Sequence, residues 1–92
     1  MDGQALIKSA EQLHADTKAM MANQARHTTD DMSEIYNSLR AELKRQAPDN
    51  AVIAGLPELK LVMKPEEFLA LAGQLLAAAQ ALPPIFPDAA IG

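Results

Sequence analysis

Two histidines and a number of carboxylates are the side chains of this sequence that could bind a metal ion. On a continuous helix His27, Asp31 and Glu34 would lie at i, i+4 and i+7 and would share one face. Imidazole and carboxylate are ligands for divalent metals, but this spacing matches no closed zinc motif. Acidic residues are also common at ordinary helix starts, because they complement the helix dipole. We therefore keep these three residues as weak metal-ligand candidates and expect no metal or other cofactor.

Paired carboxylates and serines are the other groups that could support catalysis. The close acidic pairs are Asp30 with Asp31 and Glu66 with Glu67. Each pair sits where a helix start favours negative charge, which explains it without a catalytic role. The serines lack the glycine-flanked turn of a hydrolase nucleophile, and the isolated glycines form no phosphate-binding loop. Without cysteine, thiolate chemistry is excluded. The sequence predicts that the protein is not an enzyme.

Composition and charge restrict the class of partner. The 92 residues include 12 acidic and 8 basic side chains, and the net charge of −4 opposes nonspecific binding to nucleic acid and to anionic membranes. Hydrophobic residues make up 49% of the chain, but its aromatic residues are one tyrosine and two phenylalanines, so alanine and leucine dominate and favour helix over strand. The N-terminal residues lack the pattern of a signal peptide, and we expect a cytoplasmic protein.

Periodicity predicts a mainly all-α fold, a single three-helix domain spanning residues 1–92. The first helix is predicted at about 3–27 and the second at about 30–47, after a capping-box-like run that begins at Thr28. A break or kink between them is favoured over one unbroken helix, and it produces a helical hairpin. Apolar residues of the second helix recur at i, i+3, i+4, i+7 and i+11. They are Met32, Ile35, Tyr36, Leu39 and Leu43.

The segment at about 51–63 has two alternative interpretations. Gly55 and Pro57 exclude a long regular helix, while residues 58–63 partly alternate polar and apolar side chains. A short strand would need a partner, either residues 51–53 in a hairpin or the same segment of another copy. Ordered coil is the other interpretation.

A C-terminal apolar helix is predicted at about 65–82, with Pro65 in its first turn and a proline pair after its end. No charged residue lies between Phe68 and Pro87, so this helix is apolar nearly all round and must be largely covered. Its helical part is too short and too interrupted by polar residues to span a bilayer. The tail at 83–92 is predicted to be extended.

The apolar helix faces indicate what kind of partner to expect. A chain of this length buries only about 60–65% of its unfolded surface, so contacts between copies would add needed stability. We expect a homodimer or higher oligomer and a small non-catalytic module for protein–protein interaction or assembly. The alternatives are a helical ligand- or metal-binding domain and a small acidic inhibitor of the immunity or antitoxin kind. The predicted interface residues are Met32, Ile35, Tyr36, Leu39, Leu43, Phe68, Leu71, Leu75, Leu76, Ile85 and Phe86.

Overall fold

Four helices and the segments that connect them make up residues 3–82, the part of the chain that the computed structural model describes. The helices are α1 (Gly3–Ala22), α2 (Asp30–Gln46), α3 (Ala51–Gly55) and α4 (Pro65–Ala81). Helices account for 74% of these residues, and no strand occurs among them. The prediction of a small all-α domain is therefore confirmed.

The predicted end of the first helix at about residue 27 is wrong, because α1 ends at Ala22 in a Schellman turn. Gln24 adopts a left-handed backbone conformation with a φ of 59°. Its amide donates to the carbonyl of Met21 at 3.0 Å, and the following amide donates to the carbonyl of Met20 at 2.9 Å. Glycine is the usual residue in this conformation. With glutamine there, the sequence lacks the usual signal for a helix end.

Replacing Gln24 with glycine is expected to raise the free energy of unfolding by about 0.5–1 kcal/mol. Glycine adopts the left-handed conformation without the steric penalty of a Cβ, although its larger entropy in the unfolded chain offsets part of the gain. Urea denaturation of both proteins measures the difference. Asn23→Gly is the matched control, since Asn23 has a negative φ and should only lose stability. Equal losses in the two variants would contradict the assigned turn.

The break between α1 and α2 is confirmed, and α2 begins where the sequence predicts. Thr29 is the N-cap, and its hydroxyl accepts a hydrogen bond from the amide of Met32 at 3.2 Å. Asp30 and Asp31 lie in the first turn and basic residues in the last, which complements the helix dipole at both ends. This acidic pair therefore has a structural role at the helix start.

The connection between α2 and α4 begins with the short helix α3 and continues as extended chain. The side chain of Asn50 accepts hydrogen bonds from the amides of Val52 at 2.9 Å and Ile53 at 3.1 Å, which caps α3. The predicted strand or hairpin at about 51–63 is wrong, because capping makes its first part helical and removes the partner strand. Residues 56–64 follow the coil interpretation, and we call them the extended connection.

All four helices contribute to one hydrophobic core, and α1 packs mainly against α4. The amide of Thr28 donates to the carbonyl of Met63 at 2.8 Å, which places the starts of α2 and α4 together. A Cβ on Gly73 would lie 3.7 Å from the imidazole of His14, so the middles of α1 and α4 face each other. Because α1 ends shortly before Thr28, its C-terminal end lies near the start of α4. The helices α1 and α4 therefore run antiparallel. The largest fully buried apolar side chains are Leu6, Tyr36, Leu39, Leu43, Ile53, Leu56, Phe68 and Leu75.

The C-terminal helix α4 buries one face and exposes a face of small and polar side chains. Its Leu69, Leu71 and Leu76 are half-buried, and beyond the first turn its exposed residues are alanine and glutamine. The large side chains are thus covered as expected, although the helix as a whole is not. Among residues 3–82, no helix is both long enough and apolar enough to cross a membrane. The predicted extended tail at 83–92 lies outside the described residues.

Candidate interaction surface

Most of the predicted interface residues form the core of the single chain. Those that are buried are Met32, Tyr36, Leu39, Leu43, Phe68 and Leu75. Leu71 and Leu76 are half-buried and pack against this core. Among the members that the structure describes, Ile35 is the exposed one, with 45% of its surface accessible. Ile85 and Phe86 lie outside the described residues. The apolar face of α2 is therefore mostly used within the chain.

The weak metal-ligand candidates do not share a helix face. His27 lies in the turn between α1 and α2, where its Nδ1 is 3.2 Å from the carbonyl oxygen of Thr28. Asp31 and Glu34 lie on α2, and all three side chains are exposed. The continuous helix that would have aligned them does not form. Over residues 3–82, no group of three or more histidine and carboxylate side chains is placed to hold a metal ion.

The carboxyl, phenol and guanidinium groups with shifted pKa values have structural surroundings. Hydrogen bonds from Arg45 and then Gln46 lower the pKa of the Glu42 carboxyl to about 2 at the exposed end of α2. The same contact with Glu42 raises the pKa of Arg45. Burial raises the pKa of the Tyr36 phenol, an effect that the charge of Arg40 partly opposes. A surface ion pair and a buried tyrosine are ordinary features of a folded domain.

Polar side chains of α2 hold the extended connection through its backbone. The amide group of Asn37 donates to the carbonyl of Leu59 at 2.7 Å and accepts from the amide of Leu59 at 2.8 Å. Arg40 Nε donates to the carbonyl of Leu56 at 2.7 Å. Asn37 thus satisfies both backbone groups of one residue, as a neighbouring β-strand would. The sequence predicts no role for either side chain, because polar residues between apolar ones on a helix usually face solvent.

Thr28 holds the other end of the extended connection in the same way. Its amide donates to the carbonyl of Met63 at 2.8 Å, and its hydroxyl accepts from the amide of Met63 at 3.2 Å. Thr28 is buried, with 1% of its surface accessible. The connection therefore runs back along α2, from Arg40 past Asn37 to Thr28, and it is held there by hydrogen bonds at Leu56, Leu59 and Met63.

Within residues 3–82, the backbone on the opposite side of the extended connection makes no hydrogen bonds. Successive residues of an extended chain direct their N–H and C=O groups to opposite edges. Because the C=O and N–H of one trans peptide point in opposite directions, the Lys60 N–H and the Val62 C=O point away from α2. Neither has a backbone hydrogen bond to another residue of the described chain. Between them Leu61 lies at a bend with 78% of its surface exposed, and we call Lys60 to Val62 the open edge.

A shallow groove of about 290 Å³ lies between α1 and α2 beside the exposed Ile35. It arises because α1 packs mainly against α4 and makes fewer contacts with α2. Gln12 donates to the carboxylate of Asp16 at 2.7 Å across one rim. The groove and the open edge are separate features, since the groove is lined by α1 and α2 residues only.

The fold and its surface define a small helical domain in which a coil segment, the extended connection, is hydrogen-bonded along one side of α2. Comparisons with protein-family models, with characterised proteins and with solved structures found no match for this chain.

Proposed function

We propose that this protein is a small non-catalytic interaction module that associates with itself. The observation that carries the proposal is the pairing of exposed aliphatic side chains with unbonded backbone at the open edge. Leu61 and Val62 are adjacent and exposed, and the backbone beside them makes no hydrogen bonds within the described chain. An exposed apolar edge of this kind tends to pair with another chain. Burying a leucine-sized side chain contributes about 1.5–3 kcal/mol.

Two further observations support the proposal of an interaction module. Ile35 and Val52 are also exposed, at 45% and 55%, on different parts of the surface, so an assembly larger than a dimer is compatible with the fold. The net charge of −4 favours a protein partner over nucleic acid or an anionic membrane. The absence of cysteine fits a cytoplasmic protein, and we include that location in the proposal.

Sedimentation equilibrium of the full chain tests the proposal. Over a range from about 10 μM to about 1 mM, we expect the average mass to rise above the 9.9 kDa of one chain. The range is wide because a small interface gives weak association. A constant mass of 9.9 kDa throughout would contradict self-association.

A further inference from the structure

The open edge and the groove between α1 and α2 are complementary surfaces that every copy of the chain carries. We propose that Leu61 and Val62 of one copy enter the groove of a second copy and pack against its Ile35. This contact rests on the self-association proposed above and identifies the two surfaces that mediate it. Because each copy has both surfaces, the contact can repeat from one copy to the next.

The open edge projects from the fold because the chain bends at Leu61. On either side of the bend, Leu59 is buried and Met63 is half-buried, whereas 78% of the Leu61 surface is exposed. Hydrogen bonds at Leu59 and Met63 already fix the backbone on both sides of the bend. Docking therefore presents a protruding apolar side chain without having to order the chain that carries it.

The groove offers an apolar recess of suitable size. Leu13 and the exposed Ile35 line it, and its volume of about 290 Å³ lies at the lower limit of the about 300–1,000 Å³ of sites that enclose small-molecule ligands. A shallow recess of this size fits one or two side chains of another protein surface. Ser9 and Gln12 also line it, and their hydroxyl and amide groups can form hydrogen bonds with the unbonded backbone of the open edge.

Charge complementarity favours a second copy as the occupant. Lys60 lies within the open edge and Lys64 follows it, and both side chains are exposed. In the described chain, the groove lining includes the carboxylate of Asp16 and no basic side chain. Asp31 is exposed one helical turn before Ile35, on the same flank of α2. A segment with two lysines thus meets an acidic groove, and opposite charges steer the two surfaces together.

The two surfaces lie on opposite flanks of α2, so a chain cannot fill its own groove. Asn37 binds the extended connection, whereas Ile35 borders the groove. An α-helix turns about 100° per residue, which places these two residues about 160° apart around the axis of α2. A twofold dimer would need both surfaces on one face. Each copy therefore uses its open edge on one neighbour and its groove on another.

Two variants that each damage one surface test the contact. Ile35→Lys places a positive charge in the groove, where it repels the lysines of the open edge, and Leu61→Asn removes the apolar side chain that enters the groove. Each variant alone is expected to lose at least about tenfold in affinity. In an equimolar mixture, the intact open edge of the first variant meets the intact groove of the second. Sedimentation equilibrium should show the average mass rising toward, and not beyond, twice the 9.9 kDa of one chain.

Matched controls separate the contact from net charge and from folding. Ala41→Lys adds the same charge at an exposed position on the solvent side of α2, and Val52→Asn removes an exposed aliphatic side chain away from both surfaces. Both controls should leave the dissociation constant within about twofold. Circular dichroism melting curves check that all four variants fold. Recovery in the mixture cannot result from misfolding, because each variant must supply one intact surface.

The possible outcomes distinguish this inference from the proposed function. If the wild type associates but the mixture fails to form the dimer, the contact is wrong and self-association stands. If Ile35→Lys loses affinity while Leu61→Asn keeps it, another segment occupies the groove, which also overturns the contact. If the wild type stays monomeric, both proposals fail.

Isotope labelling of one variant at a time gives an independent check in the same mixture. Amide resonances of residues 60–62 should shift in labelled Ile35→Lys, and those of Ser9 and Gln12 should shift in labelled Leu61→Asn. Shifts of the same residues in both variants would indicate a symmetric contact and would contradict the assignment of the two surfaces.

Discussion

Replacing Phe68 with alanine is expected to lower the free energy of unfolding by about 3–5 kcal/mol. Phe68 is fully buried where α2 meets the start of α4, and its ring centroid lies 6.0 Å from that of Tyr36 at an angle of 59°. Truncation removes this aromatic contact and leaves a cavity in a small core. Domains are stable by only about 5–15 kcal/mol in total, so the variant should be partly unfolded under mild conditions.

Urea denaturation followed by circular dichroism measures this loss. Leu69→Ala is the matched control on the next residue of α4, where a half-buried side chain should cost about 1 kcal/mol. Phe68→Leu keeps most of the buried volume and should lose about half as much as Phe68→Ala. If Phe68→Ala were no less stable than Leu69→Ala, the assignment of Phe68 to the centre of the core would be wrong.

Replacing Asn37 with alanine is expected to lower the free energy of unfolding by about 2–3 kcal/mol. The substitution leaves the amide and carbonyl of Leu59 without their protein partners, and an unsatisfied buried backbone group costs about 1–3 kcal/mol. Leu59 itself is only 7% exposed, so water can replace the lost bonds only in part. The better helix propensity of alanine recovers a fraction of the loss.

Hydrogen exchange at the Leu59 amide, measured with urea denaturation, tests the role of Asn37. Exchange there should accelerate more than at Met63, because Thr28 still holds that end. Ser38→Ala is the control, since Ser38 is the exposed neighbour on α2 and should change stability by less than about 0.5 kcal/mol. Equal effects of the Asn37 and Ser38 substitutions would show that the hydrogen bonds between Asn37 and Leu59 contribute nothing to stability.

Local signals were sufficient for several helix boundaries. Helix α2 begins at Asp30 and α4 at Pro65, as predicted, because a cap or an N-terminal proline acts on the backbone within one turn. The cap of α2 is Thr29, one residue after the start of the predicted capping box. The prediction of the end of α1 fails because Gln24 adopts a conformation that glycine normally adopts. Asn50 is a favoured N-cap, but Gly55 and Pro57 restrict the helix that follows it to one short turn, which periodicity does not predict.

Periodicity identified the buried side chains correctly but could not say what would cover them. Tyr36, Leu39 and Leu43 were predicted as a partner surface, and in the structure they lie in the core of their own chain. The hydrophobic effect is non-directional, so an apolar side chain gains the same free energy whether another helix of its own chain or a second copy removes it from water. Ile35 is exposed because α1 packs mainly against α4 and leaves this part of α2 uncovered.

Propensity, capping and periodicity act over a few residues, and they are enough to predict the helical class, the ends of α2 and α4, and most core residues. The hydrogen bonds of Asn37 with Leu59, 22 residues away, and of Thr28 with Met63, 35 residues away, become visible only once the chain is folded. Every residue has a backbone, so the side chain of the partner residue gives no sign that its backbone will be hydrogen-bonded. Which residue Asn37 or Thr28 binds is set by how the helices pack.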